Sequence, residues 1–295
     1  MSTPALATPR TQQGRSFWQD ARRRFFRNRL AVVGFVLVVG FLLIAIFAPL
    51  LAPYGYAEAF FDRTRLFPFQ DPRHLLGTDE LGRDYLSRLI YGARTSLFVS
   101  LVVQGISLLI GVPLGALSGF AGGRTDFVIT RIIDVMTAFP SLLFAILVSS
   151  VMAGGFRTVV VALSITSWIG YARLTRAQVL QLREQDYVAA ASALGARQGR
   201  IIWQHILPNA LSPLLVAVSF GIPATIFAEA GLSFLGFGVN DPIASWGKMV
   251  GVSSAYVRVY WHLALLPTIA IALTMLGFSF MGDGLRDALD PKQGE

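Results

Sequence analysis

Few residues in this chain are placed to do chemistry. Glu229 is the one acid set well inside an apolar stretch, at the end of the run from Ile206 to Ala228. A charge in lipid costs about 2.5–3.5 kcal/mol on insertion scales, so this side chain should face a helix bundle or sit near an interface. Two readings are open for it: a pathway or gate group, or a packed, hydrogen-bonded structural acid close to the outer surface. His74, His205 and His262 fall in different regions and form no HExxH or other ligand spacing, which argues against a zinc site. Zero cysteines removes disulfides, thiolate metal sites and a Cys nucleophile. Gly231-Leu232-Ser233 lacks the second glycine of a nucleophile elbow, so Ser233 reads as helix packing. A P-loop needs a lysine after a glycine-rich turn, and neither Lys248 nor Lys292 follows GxxxxG. No catalytic, metal or cofactor site is therefore assigned. Asp79, Glu80 and Asp84 cluster closely enough to mimic an acidic pair, although a solvated or salt-bridged loop is the simpler account.

The elements that must position these residues are read from hydropathy. The 295 residues are 54% hydrophobic and only 14% charged, with a mean hydropathy of +0.58. The apolar residues come in charge-free runs rather than at helical or strand spacing. A bilayer core about 30 Å thick needs roughly 20 apolar residues per spanning helix. Six runs are candidates: Leu30–Ala57, Thr95–Gly123, Val135–Phe156, Thr158–Ala172, Ile206–Ala228 and Val259–Gly282. The fourth is short, and Arg157 before it suits a tight turn. Lipid requires each span to satisfy its own backbone, which selects helices, and the alternation of an outer-membrane barrel is absent. The fold class is an all-α membrane protein with six transmembrane helices.

Arg10, Arg15, Arg22, Arg23, Arg24, Arg27 and Arg29 precede the first run, and the positive-inside rule puts that tail, and with six spans the C-terminus, in the cytoplasm. The segment Glu58–Arg94 then faces outside; its own arginines run against the rule. The pI near 10.3 is explained by membrane-flanking basic residues and anionic lipid rather than nucleic acid. The first run is too long for a signal-peptide core and acts as an uncleaved anchor. The chain divides into a basic tail or amphipathic lead-in (1–28), a first span with its outside loop (29–94), a five-helix block (95–285) and a cytoplasmic tail (286–295). A lead-in with Phe17, Trp18, Phe25 and Phe26 suits a helix lying on the inner leaflet as well as a simple tail. Thr78 or Asp79 is expected to cap the helix that follows the outside loop.

The largest cytoplasmic segment is 173–208. Leu174–Leu194 is rich in helix formers, Gly195 can take φ > 0 and stop a helix, Ala196–Ile206 reads as a second short helix, and Pro208 suits the first turn of the next span. Alanines 189, 190, 191, 193 and 196 leave the tip of this protrusion almost without bulk. Ordinary alanine-rich helix and close approach by another protein's groove are both compatible with that composition.

This segment resembles the EAA loop of ABC importer permeases. Ala190, Ala191, Gly195, Leu207 and Pro208 fall in register with the family pattern, while Ala189 and His205 depart from it. The stretch from His74 to Arg88, Tyr91-Gly92-Ala93-Arg94, Ala138-Phe139-Pro140-Ser141, Leu232 to Gly238, Ser245-Trp246-Gly247 and the ending Gly282 to Pro291 resemble the peptide-importer branch, specifically its second, "C-type" membrane subunit. The likeness spans about residues 20–292. It implies a type I importer permease fold in the bacterial inner membrane, with no ATP or Mg bound by this chain. It implies a homologous second permease, two P-loop ATPase subunits and an extracytoplasmic peptide-binding protein as partners. It assigns ATPase docking to Tyr187, Ala190, Ala191, Leu194, Gly195, Ala196, Ile201, Ile202, Leu207 and Pro208, and contact with the binding protein to Asp79, Glu80, Arg83 and Asp84. Nickel chelates, glutathione or oligosaccharides are alternative cargoes within the same class. A stand-alone secondary transporter should show interrupted helices with polar midplane groups, and an intramembrane enzyme should show paired acids or a nucleophile within the spans. Only Glu229 and His262 approach the enzyme pattern, and the sequence offers few groups of the carrier kind.

Overall fold

A computed structural model describes residues 17–152 and 154–289. Arg10, Arg15, Asp290, Pro291 and Lys292 lie outside them. The lead-in forms helix α1 (Phe17–Arg27), which docks Ala21 and Phe25 into the bundle and leaves Phe26 exposed. Phe25 packs with Ala31 and Ala288, so the lead-in is tied to the bundle rather than trailing from it. Asn28 then caps α2 (Arg29–Ile46), its side-chain oxygen accepting the backbone N–H groups of Leu30 and Ala31 at 3.0 and 3.3 Å. A single turn, α3 (Ala48–Leu51), closes this first span.

Residues 52–84 form a strandless loop that leads into α4 (Tyr85–Ala121). At 1.5 Å per residue its 37 residues are about 55 Å long, well beyond a bilayer core of about 30 Å. Its cap is Asp84, not Thr78 or Asp79: the Asp84 carboxylate accepts Ser87 N–H at 2.8 Å and Ser87 Oγ–H at 2.7 Å. The division expected between residues 94 and 95 thus falls inside a helix.

The third span is where the continuous run expected from Val135 to Phe156 gives way. Helices α5 (Gly123–Ala138) and α6 (Ser141–Val151) meet at 82°. Pro140 disfavours helical geometry in the residue before it, and Phe139 is extended at φ −96°, ψ 134°. The fourth run is longer than its charge-free core. Helix α7 (Phe156–Leu182) continues through Arg173 and Arg176, and the segment 173–182 belongs to it. After α7 come α8 (Asp186–Ala193), α9 (Gln198–Ile201) and a π-helical turn over Ile202–Ile206 that runs into α10 (Leu207–Phe234). Helix α11 (Trp246–Ser253) and α12 (Trp261–Leu289) complete the described chain. Among the described residues, five helical runs are long and apolar enough to cross a membrane, and the bent α5–α6 pair makes the sixth if it counts as one span.

Helices α4 and α7 pack along a seam of Gly111, Gly115 and Gly119. A Cβ at Gly115 would lie 2.3 Å from the Ala172 carbonyl oxygen, so the two backbones are in direct contact there. Without a hydrophobic drive between helices in lipid, such small-residue spacing is what lets spans associate. At the end of this seam Arg176 grips Asp126 of α5 through Nε and Nη2, both at 2.6 Å, and Arg183 Nη1 donates to the Gly119 carbonyl at 2.9 Å. These interactions fix the base from which α8 projects.

Candidate functional site

The protrusion between α7 and α10 has two faces. Val188 and Ile201 are buried against Ala116 and Val179, with Ala191, Ala196 and Ile202 packed beside them. These side chains hold the protrusion on the ends of α4 and α7. The opposite face carries Tyr187 and Leu194, 42% and 89% exposed, with Ala190 and Pro208 also exposed. Gly195 has φ +81° and stops α8 where expected. Leu194 donates its N–H to Ala190 O at 3.0 Å and Gly195 to Ser192 O at 3.0 Å, so the turn is tight and Leu194 stands at its tip. The ten residues assigned to docking therefore split. Ile201 is internal, Ala191, Ala196, Ile202 and Leu207 are only partly accessible, and Tyr187, Ala190, Leu194, Gly195 and Pro208 form the outer surface. Trp203, on the π turn, is also exposed, at 69%, and was not among the residues expected to dock. An unpaired aromatic between Ile202 and Gln204 is its only signal in the sequence.

The end of the bundle that carries residues 52–84 and 235–260 is built differently. Arg83 Nε pairs with Asp79 at 2.6 Å and Arg88 Nε with the same carboxylate at 3.2 Å. Arg83 also reaches Glu80 at 3.2 Å and Asp241 at 3.3 Å, and Asp241 binds Lys248 at 3.0 Å. His74 pairs through Nδ1 with Asp84 at 3.0 Å and is flanked by Tyr54 and Phe60. Asp79, Arg83 and Asp84 are all buried. Of the four residues assigned to binding-protein contact, only Glu80 is partly open, so the other three act as the internal frame of the loop. Burial pushes the Lys248 ammonium down. It would likewise raise the Asp241 carboxyl, but the adjacent Lys248 and Arg83 outweigh it and hold Asp241 below the usual carboxylate range.

Glu229 lies just beneath this end and is fully buried. Its carboxylate accepts Ser96 Oγ–H at 3.1 Å and Ser233 Oγ–H at 2.8 Å. The Ser96 hydroxyl oxygen in turn accepts the Trp246 N–H at 3.3 Å. The acid therefore joins α10, α4 and α11.

The bundle also holds a polar group that the hydropathy pattern does not reveal. Gln104 Nε2 donates to Gly221 O at 2.9 Å and Thr225 Oγ1 at 2.5 Å, while its Oε1 accepts the Tyr171 hydroxyl. These residues, with Ser167 and Phe220, line a cleft of about 460 Å³ between α4, α7 and α10. A lone glutamine in the charge-free run Thr95–Gly123 is the available clue.

A bundle of membrane-length helices with an exposed turn of small and apolar residues at one end and an ionic frame at the other defines a multi-pass membrane protein. Residues 111–295 match the family model described as binding-protein-dependent transport system inner membrane component. The chain belongs to that family. Residues 16–72 match the N-terminal TM domain of oligopeptide transport permease C. The oligopeptide transport system permease protein OppC of Bacillus subtilis is 46% identical over 94% of this chain and 90% of its own. The dipeptide transport system permease protein DppC of the same species is 43% identical over 94% and 86%. Among solved structures, the inward-facing MetNI methionine ABC transporter matches 70% of this chain and 97% of its own at 17% identity, with a TM-score of 0.58, a likeness of fold.

Proposed function

We propose that this chain is a permease subunit of an ATP-driven importer that moves di- or oligopeptides across the bacterial cytoplasmic membrane. The observation that carries the peptide assignment is the near full-length similarity to permeases named for oligopeptide and dipeptide transport. In this reading the end with the ionic frame faces outside and the 183–206 protrusion faces the cytoplasm. A homologous second permease completes the pathway, and a binding protein delivers peptide to the outer end. One P-loop ATPase docks on Tyr187, Ala190 and Leu194, and a second on the homologous permease. Closure of the ATPases would move α8, and through Val188 and Ile201 the ends of α4 and α7, so that access alternates between the two sides. A second cargo is supported by one relative: a glutathione transport system permease protein of Pectobacterium atrosepticum is 41% identical over 97% of this chain.

The test is a pull-down of the tagged chain from mildly solubilised membranes, with mass spectrometry and ATPase assay, beside Leu194→Asp. The wild type is expected to bring down a second permease and P-loop ATPases, and Leu194→Asp to keep the second permease with less ATPase per permease. Wild type eluting alone and without ATPase activity would return the chain to a stand-alone carrier. Competition between labelled tripeptide and glutathione for uptake separates the two cargoes.

A further inference from the structure

Arg94 has no part in the ionic frame around it. Arg83, Arg88 and Lys248 are each paired with acids, whereas Arg94 is exposed and its side chain forms no hydrogen bond or ion pair among the described residues. It lies nine residues on from Tyr85, about 14 Å along α4. Arg94 immediately precedes the charge-free run that starts at Thr95, so it stands at the loop-side edge of the span, where its guanidinium is open to a polar partner. Arg94 does line a cavity, of about 350 Å³, at the loop end of the bundle. Its walls include Tyr56, Tyr91, Phe98 and Phe156. Two aromatic pairs shape them: Tyr56 and Tyr91 meet edge to face at 5.1 Å, and Phe98 stacks on Phe156 at 5.7 Å. Tyr56 and Ile243 come from the two loops at this end, so the walls of this open cavity combine loop and helix residues rather than one face of a single span.

We infer that this cavity is a substrate site at the outer mouth of the permease, in which Arg94 takes the C-terminal carboxylate of a short peptide. The inference rests on the peptide-importer reading and deepens it. A guanidinium offers a planar fork of donors that matches a carboxylate with two parallel hydrogen bonds. The aromatic walls provide apolar surface without demanding a particular side chain, which suits a site that must accept many sequences. No acid lines the cavity, so it selects the carboxylate end of a zwitterionic peptide over its ammonium end. Its volume is at the lower end of the roughly 300–1,000 Å³ typical of small-molecule pockets, which fits one peptide terminus rather than a long chain.

The experiment uses the complete transporter with its binding protein and ATPases in proteoliposomes. Uptake of trialanine is compared with that of its C-terminal amide for wild type, Arg94→Gln and Arg94→Lys. The binding protein's own preference is common to all three, so the change in the acid-to-amide ratio reports on Arg94 alone. Arg94→Gln removes the charge and the bidentate fork together, and should lower that ratio by about tenfold or more. Arg94→Lys keeps the charge without the fork and should fall between, and its result stands if the glutamine variant fails to assemble. An unchanged ratio in the variants overturns the site. So does a ratio change seen only in vesicles containing phosphatidylglycerol, which would give Arg94 to lipid phosphate, and so does loss of the second permease from Arg94→Gln and Arg94→Lys alike, which would give it to a subunit interface. If wild type moves neither peptide while still hydrolysing ATP, the peptide reading falls, and this site with it.

Discussion

The two ends of this bundle satisfy their side chains in opposite ways. At the loop end, cations and acids are drawn inside and matched: Asp79 meets two arginines, Asp84 meets His74 and Ser87, and Glu229 meets two serines. At the other end, Leu194 and Trp203 project with no cover from their own chain. A buried charge whose partner is removed is strongly destabilising, whereas a single exposed apolar side chain contributes little to its own fold. The loop end is thus completed by the chain itself, and the protrusion is completed by something else. Mutations should separate the two: at one end they cost stability, at the other association.

The largest effect is expected from Asp79→Ala. It leaves Arg83 and Arg88 buried without their shared carboxylate, and breaking such a pair costs about 3–5 kcal/mol. Thermal unfolding of the purified chain in detergent should show a large fall in midpoint. An unchanged midpoint would mean that the frame is relaxed by water and that the contrast between the ends is false.

A smaller loss is expected at Glu229. In Glu229→Ala the hydroxyls of Ser96 and Ser233 lose their acceptor, at a cost of about 1–3 kcal/mol. Glu229→Gln keeps the shape and an acceptor oxygen, so it should restore most of the stability and transport near the wild-type rate. If the glutamine variant folds normally yet stops transport, the charge itself is needed and Glu229 is a gate group rather than a purely structural one.

How much of this is legible in the sequence follows from the same contrast. The spans are visible because lipid demands long charge-free runs, and Gly195 is visible because a helix that ends in φ > 0 favours glycine. Helix ends are misplaced where charges ride on helices longer than the bilayer, as with Arg88 and Arg94 in α4 and Arg173 and Arg176 in α7. The ionic frame is only half visible. Local spacing suggests the Asp79–Arg83 pair, but Asp241 meets Arg83 across 158 positions, and nothing in a linear reading brings them together. The glycine seam at 111, 115 and 119 is plain in the spacing, yet its meaning depends on which helix lies opposite. Burial of the loop charges is hidden for a general reason: charged loop residues are usually solvated, and only the closed tertiary frame makes this cluster an exception.

Neighbouring alanines in α8 give the finest test of the comparison. Ala191 packs toward Val188 and the ends of α4 and α7, whereas Ala190 is exposed on the outer surface. Arginine at 191 overfills a packed position and should cost about 1–3 kcal/mol, weakening every association of the chain together. Ala190→Arg should change stability by no more than about 0.5 kcal/mol and yet lower the ATPase recovered per permease while leaving the second permease bound. The two variants differ by one residue and carry the same added charge, so net charge and expression context are matched. Unfolding midpoints and co-purification measured side by side would then separate a protrusion braced on one face and open on the other from one that is a uniform surface helix. Identical behaviour of the two would support the uniform helix and remove the basis for placing the docking surface on Tyr187, Ala190 and Leu194.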